Sequence, residues 1–173
     1  CGERGLQASA GVTVTFLNCS PELFRVSNGT DINGIGLFCH EFSHGMGLPD
    51  LYETNTEARV DNQGPEFWDV MDYGEYANSG VTPTGYTAYE RDFMGWRQIV
   101  TLETDKAYTL TINPLETDGV AYKVVNPENK NEYLILENRQ NIGYDKYMPW
   151  LGPKSFDEYG GQHGLLITHV DYD

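Results

Sequence analysis

The sequence predicts an α+β protein in which a helix-containing portion is followed by a β-rich portion. An apolar stretch at about residues 33–46 has helical character, and Gly47 and Pro49 are placed to end it. From about Thr101 the chain changes to short runs of β-forming residues separated by proline, asparagine and glycine. We therefore predict a first portion at residues 1–100 and a second portion, packed on it, at residues 101–173.

Each element has its own sequence pattern. Val12, Val14 and Phe16 alternate with small or polar residues, which is typical of a strand. The helix at 33–46 follows a glycine-rich turn region, and its apolar residues predict that it is buried. A second helix is predicted at 85–96 from the spacing of its aromatic residues. Strands are predicted at 107–115, 120–127, 132–140 and 163–172.

Composition limits the classes of partner. The chain has 173 residues and a formal net charge of −15, so phosphate backbones and anionic membranes would repel it. No apolar run approaches the ~18 residues of a membrane span. The acidic surface suits a secreted or cell-surface protein and can supply oxygen ligands for calcium. The weak calcium candidates are Asp61, Asp145, Asp157, Glu158 and Asp171.

The segment FCHEFSHGMGLPDLYE, residues 38–53, carries the chemistry. His40 and His44 are four residues apart, so both imidazoles can converge on one metal ion from one face of a helix. Glu41 follows the first histidine and can reach a water on the metal without ligating it. Zinc makes such a water acidic, and Glu41 is the predicted general base that accepts its proton. The pattern therefore predicts a zinc hydrolase.

The third ligand is not a histidine. A catalytic zinc normally takes three protein ligands, and the candidates after His44 are Asp50 and Glu53. Gly47 allows a sharp turn three residues after His44, and Asp50 follows three residues later. This spacing favours Asp50, and Glu53 is the alternative.

The pattern H-E-x-x-H-x-x-G-x-x-D is the metzincin layout with aspartate as the third ligand. A metzincin also has a methionine turn beneath the metal, and Met71 lies 27 residues beyond His44 between turn-forming residues. Tyr73 follows two residues later. It is either a catalytic residue that hydrogen-bonds the tetrahedral intermediate or a residue of the core.

Several segments, in this order, resemble the immune inhibitor A family of secreted bacterial zinc metallopeptidases. The resemblance implies a zinc endopeptidase that is exported, made with a prosegment and often stabilised by calcium. It implies His40, His44 and Asp50 as zinc ligands, Glu41 as the base and Met71 in the methionine turn. The segments are HEFSHGMGLPDLY, FWDVMDYG, PTGYTAYERDFMGW, EYLILENRQNIGYD and HGLLITHVD.

We therefore expect a zinc-dependent endopeptidase that acts on extracellular proteins. The alternatives are a zinc amidase on a non-peptide amide and an extracellular binding or adhesive module that keeps zinc for stability. About 35 residues precede the helix, so we expect an N-terminally truncated catalytic domain with weak activity. Two further pairs stay open: His163 and His169 as structural residues or ligands, and Glu137 and Arg139 as an ion pair or cleft lining.

Overall fold

The structure is a computed structural model that describes residues 6–8, 12–14, 20–26, 29–55, 64–147 and 163–172. Its α-helices are α1 (Gly36–Gly45) and α2 (Ala88–Phe93). Short 3₁₀ segments cover Glu66–Trp68, Tyr73–Gly80 and Gly143–Tyr147. The strands are β1 (Leu6–Ala8), β2 (Val12–Val14), β3 (Leu23–Val26), β4 (Gly29–Ile32), β5 (Val100–Leu102), β6 (Tyr122–Val125), β7 (Glu132–Arg139) and β8 (Gly164–Asp171).

The strands form two antiparallel pairs and one larger sheet. β1 pairs with β2 and β3 pairs with β4, whereas the larger sheet has the order β5-β6-β7-β8. In that sheet β5 is parallel to β6, and the other neighbours are antiparallel. Helices combined with this mixed sheet confirm the α+β class. Strands predicted at 120–127, 132–140 and 163–172 correspond to β6, β7 and β8, and Phe16 lies outside the described residues.

Two strand predictions need correction. The segment 107–115 forms no strand, apart from an isolated bridge between Pro114 and Asn138. Single hydrogen bonds hold it instead, because the Asn138 side-chain amide donates to Ile112 O and Leu115 N donates to Asn138 O. The parallel strand β5 was not predicted. Its pairing partner lies about 20 residues further along the chain, so no local pattern marks it.

Helix α1 begins at Gly36, later than predicted, and the expectation that its apolar residues are buried is wrong. Ile35, Phe38 and Phe42 are each about half exposed. The buried face instead carries Gly36, His40 and Ser43. These residues follow the i, i+4, i+7 spacing of one helix face, so the helix turns its polar stripe inward.

Glycine allows this face to pack closely. A Cβ added at Gly36 would lie 1.9 Å from Glu75 O in the 3₁₀ segment Tyr73–Gly80, so a larger residue could not fit there. The close approach brings α1 against the chain that follows Met71.

The core has two parts. One cluster joins α2 to the sheet through Ala88, Leu115, Ala121 and Ile135. The other lies under α1 and contains Leu48, Val70 and Met71. Within the described part of the chain, no helix has the length and apolar character needed to cross a membrane.

Candidate metal centre

Helix α1 and the loop after it bring three predicted ligands together. Asp50 Oδ1 lies 3.1 Å from His40 Nε2 and 3.3 Å from His44 Nε2. The helix places the two imidazoles on adjacent turns, with ring centroids 4.8 Å apart. Gly47 has φ of +100°, which reverses the chain after the helix and returns Asp50 to the histidines.

The other nitrogen of each imidazole fixes its tautomer. His40 Nδ1 lies 2.9 Å from Val70 O, and His44 Nδ1 lies 2.8 Å from Leu48 O. A carbonyl oxygen only accepts hydrogen bonds, so each Nδ1 carries the proton and donates it. In the neutral imidazoles both Nε2 atoms therefore present lone pairs, and these point at the Asp50 carboxylate. Backbone partners of this kind orient metal-binding histidines in general.

This geometry fits a divalent cation. Two imidazole nitrogens and a carboxylate oxygen lie within 4.8 Å of one another, and all three are acceptors when the imidazoles are neutral. His40, His44 and Asp50 would together hold a divalent cation, and two nitrogen donors with one oxygen donor are a set that zinc accepts. Across the described ranges, this is the single group of three or more such side chains close enough to hold a metal.

Glu53, the alternative ligand, has a different contact. Its Oε1 accepts a hydrogen bond of 2.6 Å from Asn55 N, and it is not a member of the cluster. Asp50 is thus the carboxylate that the fold brings to the histidines.

Two glutamates surround the cluster. Glu41 is half-buried on α1, one residue after His40. Glu75 is buried, and its Oε2 lies 3.9 Å from His40 Nδ1. Burial raises the pKa of Glu75, and the negative charges of Glu41 and Asp50 raise it further. The Glu41 charge therefore acts on Glu75, the neighbour of His40. The motif did not indicate Glu75.

Two tyrosines of this region, Tyr73 and Tyr52, have different contacts. Tyr73 is 48% exposed, and its ring contacts Phe67 at 5.6 Å and Tyr76 at 6.5 Å. Tyr52 instead stacks on His40, with centroids 6.4 Å apart, and its hydroxyl is within hydrogen-bonding reach of Asp50. Burial, followed by the Asp50 charge, raises the pKa of Tyr52. Its position two residues after Asp50 was the available signal.

Tyr76 extends this group towards Glu75. Burial and the Glu75 carboxylate raise the pKa of Tyr76 to about 12, with smaller contributions from Tyr52 and Tyr73. Its hydroxyl therefore keeps its proton at neutral pH and can donate a hydrogen bond.

The turn at Met71 supports the cluster through its backbone. Met71 is fully buried, its N donates to Asp69 Oδ1 at 2.6 Å, and its O accepts from Leu51 N at 3.0 Å. The preceding carbonyl, Val70 O, is the acceptor for His40 Nδ1. The turn therefore fixes both a histidine and the chain that follows Asp50.

The other candidates have separate places. Arg139 is fully buried between Glu137 at 2.8 Å and Asp145 at 2.6 Å, which resolves Glu137 and Arg139 as an ion pair. Both Asp145 oxygens bond Arg139, so they are not directed at a calcium ion. His169 contacts Glu132 at 3.0 Å on an exposed strand face. His163 and Asp171 are exposed, and Asp61, Asp157 and Glu158 lie outside the described residues.

Comparison with known proteins agrees with the motif. Residues 27–99 match the family described as "Immune inhibitor A peptidase M6, catalytic domain". "Immune inhibitor A" of Bacillus thuringiensis subsp. alesti is 30% identical over 80 residues, which cover 42% of this chain. "Pre-pro-metalloprotease PrtV" of Vibrio cholerae is 30% identical over 61 residues, or 34% of this chain. The resemblance to the immune inhibitor A family is therefore confirmed.

The matches cover small parts of these relatives. They span 11% of the Bacillus protein and 6% of the Vibrio protein, so this chain corresponds to a small fraction of each relative's length. No solved structure matches the chain significantly.

Proposed function

We propose that this chain carries the zinc site of a secreted or cell-surface endopeptidase that hydrolyses peptide bonds of extracellular proteins. The observation that carries the proposal is the convergence of two tautomer-fixed Nε2 atoms on Asp50 Oδ1, at 3.1 and 3.3 Å. The matches to a peptidase catalytic domain and to metalloproteases support the reaction class.

Three residues would hold the metal, and one would move the proton. His40, His44 and Asp50 supply the ligand atoms. When bound, a zinc ion supplies Lewis acidity that polarises a carbonyl and acidifies water beside it. Glu41 accepts the proton of the attacking water and returns it to the leaving amine. The backbone acceptors Val70 O and Leu48 O keep both imidazoles oriented throughout.

The metzincin-like assignment extends to the surrounding residues. Met71 forms the methionine turn, and its buried side chain and paired backbone support that role. Tyr73 is proposed to hydrogen-bond the substrate in the transition state, for which its exposure leaves it free. Residues 1–100 form the catalytic portion and 101–173 the β-rich portion. We also propose that the whole protein has a prosegment and further domains, and that it binds calcium outside the described residues.

Metal content and proteolysis test the function together. The purified chain is expected to retain about one zinc per molecule after dialysis, because three protein ligands hold it. Glu41→Gln is expected to keep the zinc and lose casein hydrolysis by at least about 100-fold, the scale of general-base catalysis. Glu53→Gln is the matched control and should change neither value.

Three outcomes would contradict parts of the proposal. Absence of bound zinc removes the metal site. Equal hydrolysis by Glu41→Gln removes its role as the base. Zinc binding with hydrolysis of a small amide, but not of casein, would favour the amidase alternative.

A further inference from the structure

Two carboxyl groups are buried side by side behind the metal centre. Asp69 precedes the Val70–Met71 turn, and Glu90 lies in the first turn of α2. Both residues are fully buried. Their side chains are within hydrogen-bonding reach of each other.

One oxygen of each carboxyl group accepts hydrogen bonds, and the other does not. Asp69 Oδ1 accepts from Met71 N, and Glu90 Oε2 accepts from the amide and hydroxyl of Thr87 in the capping box of α2. Among the described residues, no hydrogen-bond partner reaches Asp69 Oδ2 or Glu90 Oε1. Two ionised carboxylates buried with these oxygens unpaired would carry a large desolvation penalty.

The neighbouring charges do not offset this cost. Glu137 lies on β7, where its Oε2 accepts from Ala88 N, and it adds negative charge to the region. Arg139 is the buried cation here, and it is engaged by Glu137 and Asp145. Among the described residues, the phenols Tyr86 and Tyr89 also face Glu90, and the carboxyl group of Asp72 faces Asp69.

We propose that Asp69 and Glu90 share one proton at neutral pH, with Glu90 as the acid that donates from Oε1 to Asp69 Oδ2. One proton satisfies both bare oxygens and removes one of the two buried charges. In other proteins, two carboxyl groups that share one site hold a proton for the same reason, because two groups in contact cannot both be ionised. Burial and the Asp69 carboxylate accordingly raise the pKa of Glu90 well above its usual range.

The shared proton makes Glu90 a positioning residue for the metal centre. Glu90 fixes Asp69, Asp69 fixes Met71 N, and the same turn presents Val70 O to His40 Nδ1. Loss of the proton would leave two anions in contact and loosen this turn. The proton itself does not depend on the proposed zinc or peptidase function.

The pH dependence of stability tests the pair directly. The folded state holds a proton that unfolded Glu90 releases at a pH of about 4.3, so wild-type stability falls as the pH rises above this value. Glu90→Gln keeps the capping box and donates permanently to Asp69. Its unfolding equilibrium constant in urea should therefore fall relative to wild type by up to about tenfold per pH unit, until the folded pKa is passed.

Infrared spectroscopy tests the pair in the wild-type chain, so the test does not depend on the folding of a variant. The wild-type chain at pH 7 should show the C=O stretching band of a protonated carboxylic acid. Glu90→Gln should lose that band, whereas the exposed control Glu128→Gln should keep it. Absence of the band in wild type overturns the proposal, as does a stability difference that does not change with pH.

Zinc titration of the apo-chain tests the positioning role. Glu90→Ala removes the proton donor to Asp69. The zinc affinity of this variant should therefore fall by about tenfold, which is the lower end of the 10–100-fold range for residues that orient metal ligands. Glu90→Gln should restore wild-type affinity. Equal affinities in all three proteins overturn the positioning role. If a chelator lowers the unfolding free energy of wild type more than that of Glu90→Gln, a cation and not a proton lies between Asp69 and Glu90, and the proposal is wrong.

Discussion

The metal centre and the Arg139 cluster gather similar groups but differ in where the cation comes from. In the Arg139 cluster, Glu137 and Asp145 flank a guanidinium supplied by the chain, and all three side chains are fully buried. In the metal centre, His40, His44 and Asp50 bring their ligand atoms together, and His44 and Asp50 are partly open to solvent whereas His40 is buried. The first has its cation within the chain, whereas the second could hold a metal ion.

This difference provides a way to separate functional from structural clusters of polar residues. Arg139 also bonds Gly85 O, and Asp145 accepts from Gly85 N, so the cluster connects β7 to the segment before α2. In the metal centre, the backbone carbonyls of Val70 and Leu48 instead orient the two imidazoles so that both Nε2 atoms face Asp50. The Asp69–Glu90 pair lies between these cases, because a proton is sufficient to complete it.

Removing the cation from the closed cluster should have the largest effect. Arg139→Met leaves the carboxylates of Glu137 and Asp145 buried without a cation, which is expected to cost about 3–5 kcal/mol of unfolding free energy. Urea denaturation measures this, with the exposed Lys130→Met as the matched control. A loss below about 1 kcal/mol, the scale of an exposed ion pair, would contradict a tightly paired cluster.

Removing an acceptor from the open cluster should affect metal binding before stability. Asp50→Ala is expected to weaken zinc binding by at least about 100-fold, beyond the 10–100-fold typical of residues behind the ligands. Glu53→Ala should leave the affinity within about threefold, because its contact is with Asn55 N. Calorimetric titration of the apo-chains measures both, and the reverse order would make Glu53 the ligand.

The tyrosines should give the smallest effects and separate orientation from catalysis. Tyr52→Phe removes a hydroxyl within reach of Asp50, so zinc affinity should fall by about two- to tenfold, the value of one hydrogen bond. Tyr73→Phe should leave zinc affinity unchanged and lower kcat. If Tyr73→Phe weakens zinc binding instead, its predicted role in the transition state is wrong.

The sequence alone determined the parts of the site that depend on local periodicity. The spacing of His40 and His44 requires only 3.6 residues per turn, and the turn at Gly47 requires only the freedom of glycine at positive φ. The Asp50 spacing follows from that turn. Strands β6, β7 and β8 were likewise visible because alternation and turn residues are local signals.

The tertiary structure decided what depends on partners distant in the chain. Val70 O lies 30 residues from His40, and Ala88 N lies 49 residues from Glu137. Tyr52 was overlooked because stacking on His40 is a property of the folded loop. The segment 107–115 was misassigned because single hydrogen bonds to Asn138 of β7, and not a continuous ladder, connect it to the sheet. Backbone geometry repeats along the chain and can be read from it, whereas satisfied hydrogen bonds and buried charges depend on which distant groups the fold brings together.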